Sequence, residues 1–202
     1  MQPNVVYEPR PFDLRGLRGI SNQTIAMHLA LYQGYVKATN DLTERIASLV
    51  HKDGIERNEA PEYSELKRRL GFEYNGMILH ELYFENLIAG GAGDLEPRSA
   101  FAKSAEVSFG SVDRWRSDFI GVSGMRGVGW AICYQNPANR RLSNHWVSLH
   151  DVGNVAGFRP ILVMDIWEHA YLLDYAPSQR ARYLDAFFEN MNWPVVTRRL
   201  SD

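Results

Sequence analysis

The stretch Pro160 to Tyr175, PILVMDIWEHAYLLDY, limits the fold more than any other part of the chain. Ile161 to Met164 is a short unbroken apolar run after a proline, the pattern of a strand buried on both faces. Asp165 stands where that strand should end. Together with His169, four residues on, it offers a carboxylate and an imidazole. With two further imidazoles they would complete a mixed nitrogen and oxygen set suited to iron, manganese or zinc. Taken alone, Asp165 would cap a turn, and its spacing to His169 would mark a helix face; the strand-like run directly before it argues against the helix.

The remainder of the chain divides around this stretch. Met1 to Gly19 holds three prolines and two glycines among scattered charges and reads as a wrapping or poorly ordered arm. Ser21 is a candidate N-cap for a long amphipathic helix over Thr24 to Val50, with Ile25, His28/Leu29, Tyr32, Val36, Thr39 and Leu42/Ile46 at close to helical spacing. His51 to Glu65 is polar, contains Gly54 and Pro61, and is expected to connect this helix to a second over Leu66 to Ile88, where Gly71 and Gly76 weaken or kink it. Leu70, Phe72, Met77, Leu79/His80, Tyr83/Phe84 and Leu87 are candidates for the buried side of this second helix, and the two are expected to form an antiparallel hairpin. Gly90 to Ser99, GGAGDLEPRS, is the best boundary in the chain.

Beyond it the periods mix. Ser99 to Val107 and Ser111 to Gly121 read as helices, the second capped by Ser111. Strands are expected at Trp130 to Tyr134, His145 to Leu149 and Ile161 to Met164, and closing helices near His169 to Tyr175 and Ser178 to Asn190. The expected class is α+β: an arm over 1–19, a helical hairpin over 20–92, and a metal-binding unit over 93–202 with a small, about three-stranded antiparallel sheet and flanking helices.

Charge and composition exclude several functions. With 22 basic against 24 acidic residues there is no bulk electrostatic case for nucleic acid or an anionic membrane. Cys133 is the only cysteine, so an intrachain disulfide is impossible. No run approaches transmembrane length and the N-terminus lacks the pattern of a leader, so a soluble, cytoplasmic protein is expected. Nucleophile motifs and glycine-rich phosphate loops are absent from the sequence.

The motif DxWEHAY after an apolar strand, FGSVDRW at Phe109 to Trp115, a histidine in each of two earlier helices, and Asn192–Trp193 together resemble the iron/manganese superoxide dismutases, over most of the chain from about Gly19. The resemblance implies that His28, His80, Asp165 and His169 bind one iron or manganese ion per subunit, although His28 or His80 alone would be an ordinary hydrogen-bonded core histidine. It implies superoxide as substrate, and a homodimer in which Glu168 hydrogen-bonds His169 of a second subunit, the isologous exchange of a twofold dimer. Trp167, Trp130, Tyr83 and Phe84 match the aromatic wall of such a site, and Arg180 resembles the arginine of its entrance funnel. A non-catalytic metal-binding or interaction scaffold of the same fold is the alternative, and a hydrolytic zinc site a third.

Departures from the family pattern fall around the metal. A tyrosine eight residues after the first ligand and a histidine four after it are replaced by Val36 and Tyr32, while Tyr35 sits at seven; Tyr35, with Tyr32, is the expected proton path. The tyrosine expected three residues after the last ligand is Leu172. A glutamine that contacts the solvent at the metal is expected either within Gly124 to Trp130, where Arg126 stands, or at Gly76, and neither position has it. A fixed positive charge beside the ion would disfavour its trivalent state, so Arg126 is expected to turn outward. His145 or His150, at the ends of the neighbouring strand, is expected to supply the missing polar contact.

Overall fold

Ser21 opens the first helix by accepting a hydrogen bond from the Thr24 amide, and its extended backbone turns the arm into the helix axis. A computed structural model of the chain describes residues 5–50, 54–91 and 93–200. Residues 1–4 of the expected arm, and 51–53 of the expected connection, lie outside them. Helix α1 spans Asn22–Leu49 and buries Ile25, His28, Tyr32, Val36 and Thr39 on one stripe. Helix α2 spans Ala60–Glu85, which corrects the expected start at Leu66. Pro61 sits in its first turn, where the missing amide hydrogen costs nothing, so a proline taken as a loop signal instead starts the helix. Gly71 and Gly76 do not interrupt it.

The two helices run antiparallel: Tyr32 meets Glu81, Tyr35 lies against Gly76, and Arg45 pairs with Glu62. The arm wraps this hairpin. Tyr7 exchanges hydrogen bonds with Asn40, the Arg10 amide donates to the Tyr32 hydroxyl, and Leu14 and Leu17 are buried.

Helices α3 (Ala100–Phe109) and α4 (Val112–Ser123) follow, with Ser99 and Ser111 as side-chain caps. Three antiparallel strands, β1 (Gly129–Gln135), β2 (Leu142–Ser148) and β3 (Arg159–Asp165), form a sheet of order β2-β1-β3. The second strand starts three residues before the expected His145 and ends before Leu149, whose φ of 53° turns the chain out of the sheet. Central β1 is buried throughout, and its Trp130 pairs with Val147 on one side and Asp165 on the other.

The expected helix over His169 to Tyr175 is instead a single 3-10 turn, Glu168–Ala170, followed by further turns. Helix α5 spans Arg180–Glu189, and an additional helix α6, Trp193–Arg198, closes the chain. Arg199 ties the end of the chain to the hairpin, donating to the Leu82 carbonyl, Glu85 and Asn86 of the α2 region and to the Ile161 carbonyl of β3. Among the described residues no helix is long and apolar enough to cross a membrane.

Candidate metal centre

Four elements converge at the inner end of β3. His28 comes from the second turn of α1, His80 from α2, Asp165 is the last residue of β3, and His169 lies in the turn after it. The side chains of His28, His80 and Asp165 are fully buried, and that of His169 is 18% exposed. Asp165 Oδ2 is 3.1 Å from His28 Nε2, 3.1 Å from His169 Nε2 and 3.6 Å from His80 Nε2. One donor atom from each of the four lies within 4.8 Å of every other.

The local hydrogen bonds leave this set ready for a cation. His80 Nδ1 lies 2.6 Å from the Gly76 carbonyl, which can only accept, so Nδ1 carries the hydrogen and Nε2 presents a lone pair. That Nε2 is buried without a hydrogen-bond partner, and a metal ion would satisfy it. Burial lowers the pKa of His28 and of His80, the latter further reduced by the neighbouring His28, so both imidazoles are neutral at pH 7. Burial alone would raise the pKa of Asp165. The proximity of His169 and hydrogen bonding with His169 and His28 outweigh it and hold the carboxyl well below its usual range. The second oxygen of Asp165 accepts from the Trp167 amide at 2.8 Å, and its carbonyl from the Tyr183 hydroxyl at 2.7 Å. The donor set, three imidazoles and one carboxylate, fits a single iron or manganese ion.

A second hydrogen-bonded group borders the first. Trp130 Nε1 donates to His150 Nδ1 at 2.9 Å, and His150 Nε2 lies 2.7 Å from the Tyr35 hydroxyl. An indole nitrogen can only donate, so Nδ1 of His150 accepts. Burial depresses the His150 pKa to about 4, so the ring is neutral at pH 7 and its one hydrogen sits on Nε2. His150 therefore donates to Tyr35, and the phenol hydrogen is left free for another acceptor. The Tyr35 ring is 5.1 Å from that of His80, and burial raises its pKa to about 12.

The other residues singled out in the sequence scatter around this core. Tyr32 lies within the hairpin, but its hydroxyl donates to Glu81 and accepts from the Arg10 amide. Trp167 stacks on His150 and His169, and Trp130 packs edge-on against His80. Tyr83 and Phe84 wall His28. His145 is placed elsewhere, bonded to Ser143 Oγ and packed between Tyr134 and Phe158. Arg126 and Glu168 are exposed. Arg180 donates to the carbonyls of Ser123 and Met125, at the end of α4. Sequence reasoning missed the Gly76 carbonyl that orients His80, although its place one helical turn earlier was a usable signal.

Residues 97–199 match the family described as iron/manganese superoxide dismutases, C-terminal domain. The chain is 40% identical over 187 residues to a superoxide dismutase [Fe] of Aquifex pyrophilus, covering 92% of this chain and 86% of that protein. It is 35% identical over 204 residues to a superoxide dismutase [Fe] of Cupriavidus metallidurans, covering 98% of each. A superoxide dismutase [Mn] 1 of Halobacterium salinarum is 35% identical over 196 residues, covering 95% of this chain and 92% of that protein.

Proposed function

The chain belongs to the iron/manganese superoxide dismutases, and we infer from this and from the geometry above that it converts two superoxide anions and two protons into dioxygen and hydrogen peroxide. The observation that carries the reading is the convergence of His28, His80 and His169 on Asp165 with a lone pair of buried His80 unpartnered. These four residues hold the ion. An iron or manganese ion bound there would supply one-electron redox chemistry between two oxidation states.

Peroxide formation needs protons, and Tyr35 is the residue whose surroundings support delivering them. Its phenol is protonated at neutral pH and, with its pKa raised by burial, stays so well above it; His150, locked by Trp130, donates to its oxygen and so turns its hydrogen away. Tyr32 is engaged with Glu81 and the arm, which favours a supporting part in the same hydrogen-bonded surroundings. Trp167 and Trp130 exclude water from one side of the donors and fix His150. Arg126, exposed, is left to the surface.

The protein is a homodimer in which Glu168 of one subunit meets His169 of the other. The reading is supported by the exposure of Glu168 beside a ligand and by two neighbouring leucines, Leu172 and Leu173, 42% and 51% exposed. A monomeric sedimentation coefficient at micromolar concentration would remove it. The chain works in the cytoplasm, a location supported by its single, buried thiol; detection in a membrane or secreted fraction would speak against it. We read three units, an arm, a helical hairpin and a C-terminal unit from about residue 93, a division supported by the family match starting at 97; limited proteolysis that cut elsewhere first would count against it.

The deciding experiment is superoxide consumption by the purified protein per bound metal ion. Rapid turnover with iron or manganese, lost together with metal binding in His80→Ala, is the expected result. Full occupancy without turnover would favour the scaffold reading.

A further inference from the structure

From His80 toward solvent, α2 carries Glu73, Phe72 and Arg69, and these join the metal-binding donors to the surface through an unbroken series of contacts. The Arg69 guanidinium, 52% exposed, lies 4.3 Å from the centroid of the Phe72 ring. The Phe72 ring meets His150 edge-on at 4.5 Å, His150 is hydrogen-bonded to Tyr35, and Tyr35 packs on His80. Arg69 Nε also donates to Glu73 Oε1 at 2.6 Å. Glu73 is only 6% exposed, and a carboxylate so buried needs such a partner.

The pair is felt at both groups of the rim: burial is the main cause of the lowered His150 pKa, to which Arg69 adds slightly, and at Tyr35 Glu73 acts upward and Arg69, more weakly, downward. A half-exposed cation at the rim, held in one orientation by a ring and a carboxylate, creates a local positive field in a chain whose net charge is −2.

We propose that Arg69 draws the anionic substrate to the rim formed by Phe72, Tyr35 and His150, and that Glu73 is the counter-charge that limits how strongly it does so. The assignment rests on the dismutase reading and adds a guiding residue to it. Arg69 touches no reacting atom; it acts on the approach of the anion.

The test uses metal-loaded protein in four forms: wild type, Arg69→Gln, Arg69→Lys and Glu73→Gln. Two readouts are taken from low salt to about 1 M, kcat/KM for superoxide and the affinity for azide followed by the change in visible absorption. In Arg69→Gln both are expected to fall about 3-fold at low ionic strength, with the deficit vanishing near 1 M, where the screening length is only about 3 Å. Arg69→Lys should keep both near wild type, and Glu73→Gln should raise both by roughly 2-fold because it retains the hydrogen bond and removes the opposing charge. A salt-independent loss, or no loss in Arg69→Gln, overturns the proposal. If Glu73→Gln is poorly folded, the Arg69→Gln and Arg69→Lys pair still decides. Failure of the dismutase reading would look different: wild type would consume no superoxide, while azide affinity would still follow the charge at position 69.

Discussion

The Tyr35 phenol is partly buried, and its oxygen is held by His150. Because its pKa is raised to about 12 by burial, with Asp165 and Glu73 adding to the shift, it remains a donor through the alkaline range in which an ordinary phenol begins to ionise. Tyr35→Phe should lower turnover by about 10-fold with metal content unchanged, measured by stopped-flow decay of superoxide, since water replaces part of a lost general acid. His150 makes a separate prediction about stability. Its pKa in the folded chain is about 4 against an ordinary 6.5, so between those values the unfolded chain binds a proton that the native one does not, and stability falls as pH falls through that window. Urea midpoints at pH 4.5 and 7 should therefore lie further apart in wild type than in His150→Gln. The sequence named both His145 and His150 as candidates because both flank β2. Only the positive φ at Leu149, which carries His150 back beneath Trp130 while His145 stays on the strand beside Tyr134, separates them. A backbone reversal at a leucine leaves no trace in hydrophobic pattern.

At the scale of elements, the close approach of α1 and α2 is set by a missing side chain. A Cβ at Gly76 would stand 2.6 Å from Cδ1 of Tyr35. Ordinarily, replacing glycine by alanine inside a helix stabilises it by about 1 kcal/mol. Here the methyl group would push the phenol ring, and Gly76→Ala should lose turnover by a factor resembling that of Tyr35→Phe while circular dichroism shows unchanged helix content. The sequence announced most elements through their caps: Ser21 and Ser111 each accept from an amide three residues on, as their positions implied. The start of α2 was hidden because Glu59 makes no side-chain cap and the only punctuation, Pro61, serves equally in a loop or a first turn. The turn after Asp165 was read as helix from the same ambiguity, since apolar residues at Tyr171 and Leu172 fit either state.

Across the whole molecule, the donors fasten the hairpin to the sheet, and the Arg199 bonds to α2 and β3 repeat that connection on the carboxyl-terminal side. Removing the ion should loosen the assembly as well as silence it. At free metal about a thousand times the dissociation constant, binding stabilises the native state by about 4 kcal/mol. For a chain of this size that corresponds to a fall of roughly 8–16 °C in Tm on metal removal, readable by calorimetry. Of the four candidate ligands, Asp165 and His169 were legible in the sequence through their motif and His28 and His80 only through the family resemblance, whereas their mutual distances were not, being a product of how the two halves dock. His28 and Asp165 stand 137 residues apart, so neither a finished hairpin nor a finished sheet can grip an ion by itself. The complete donor set exists only where the two halves have docked.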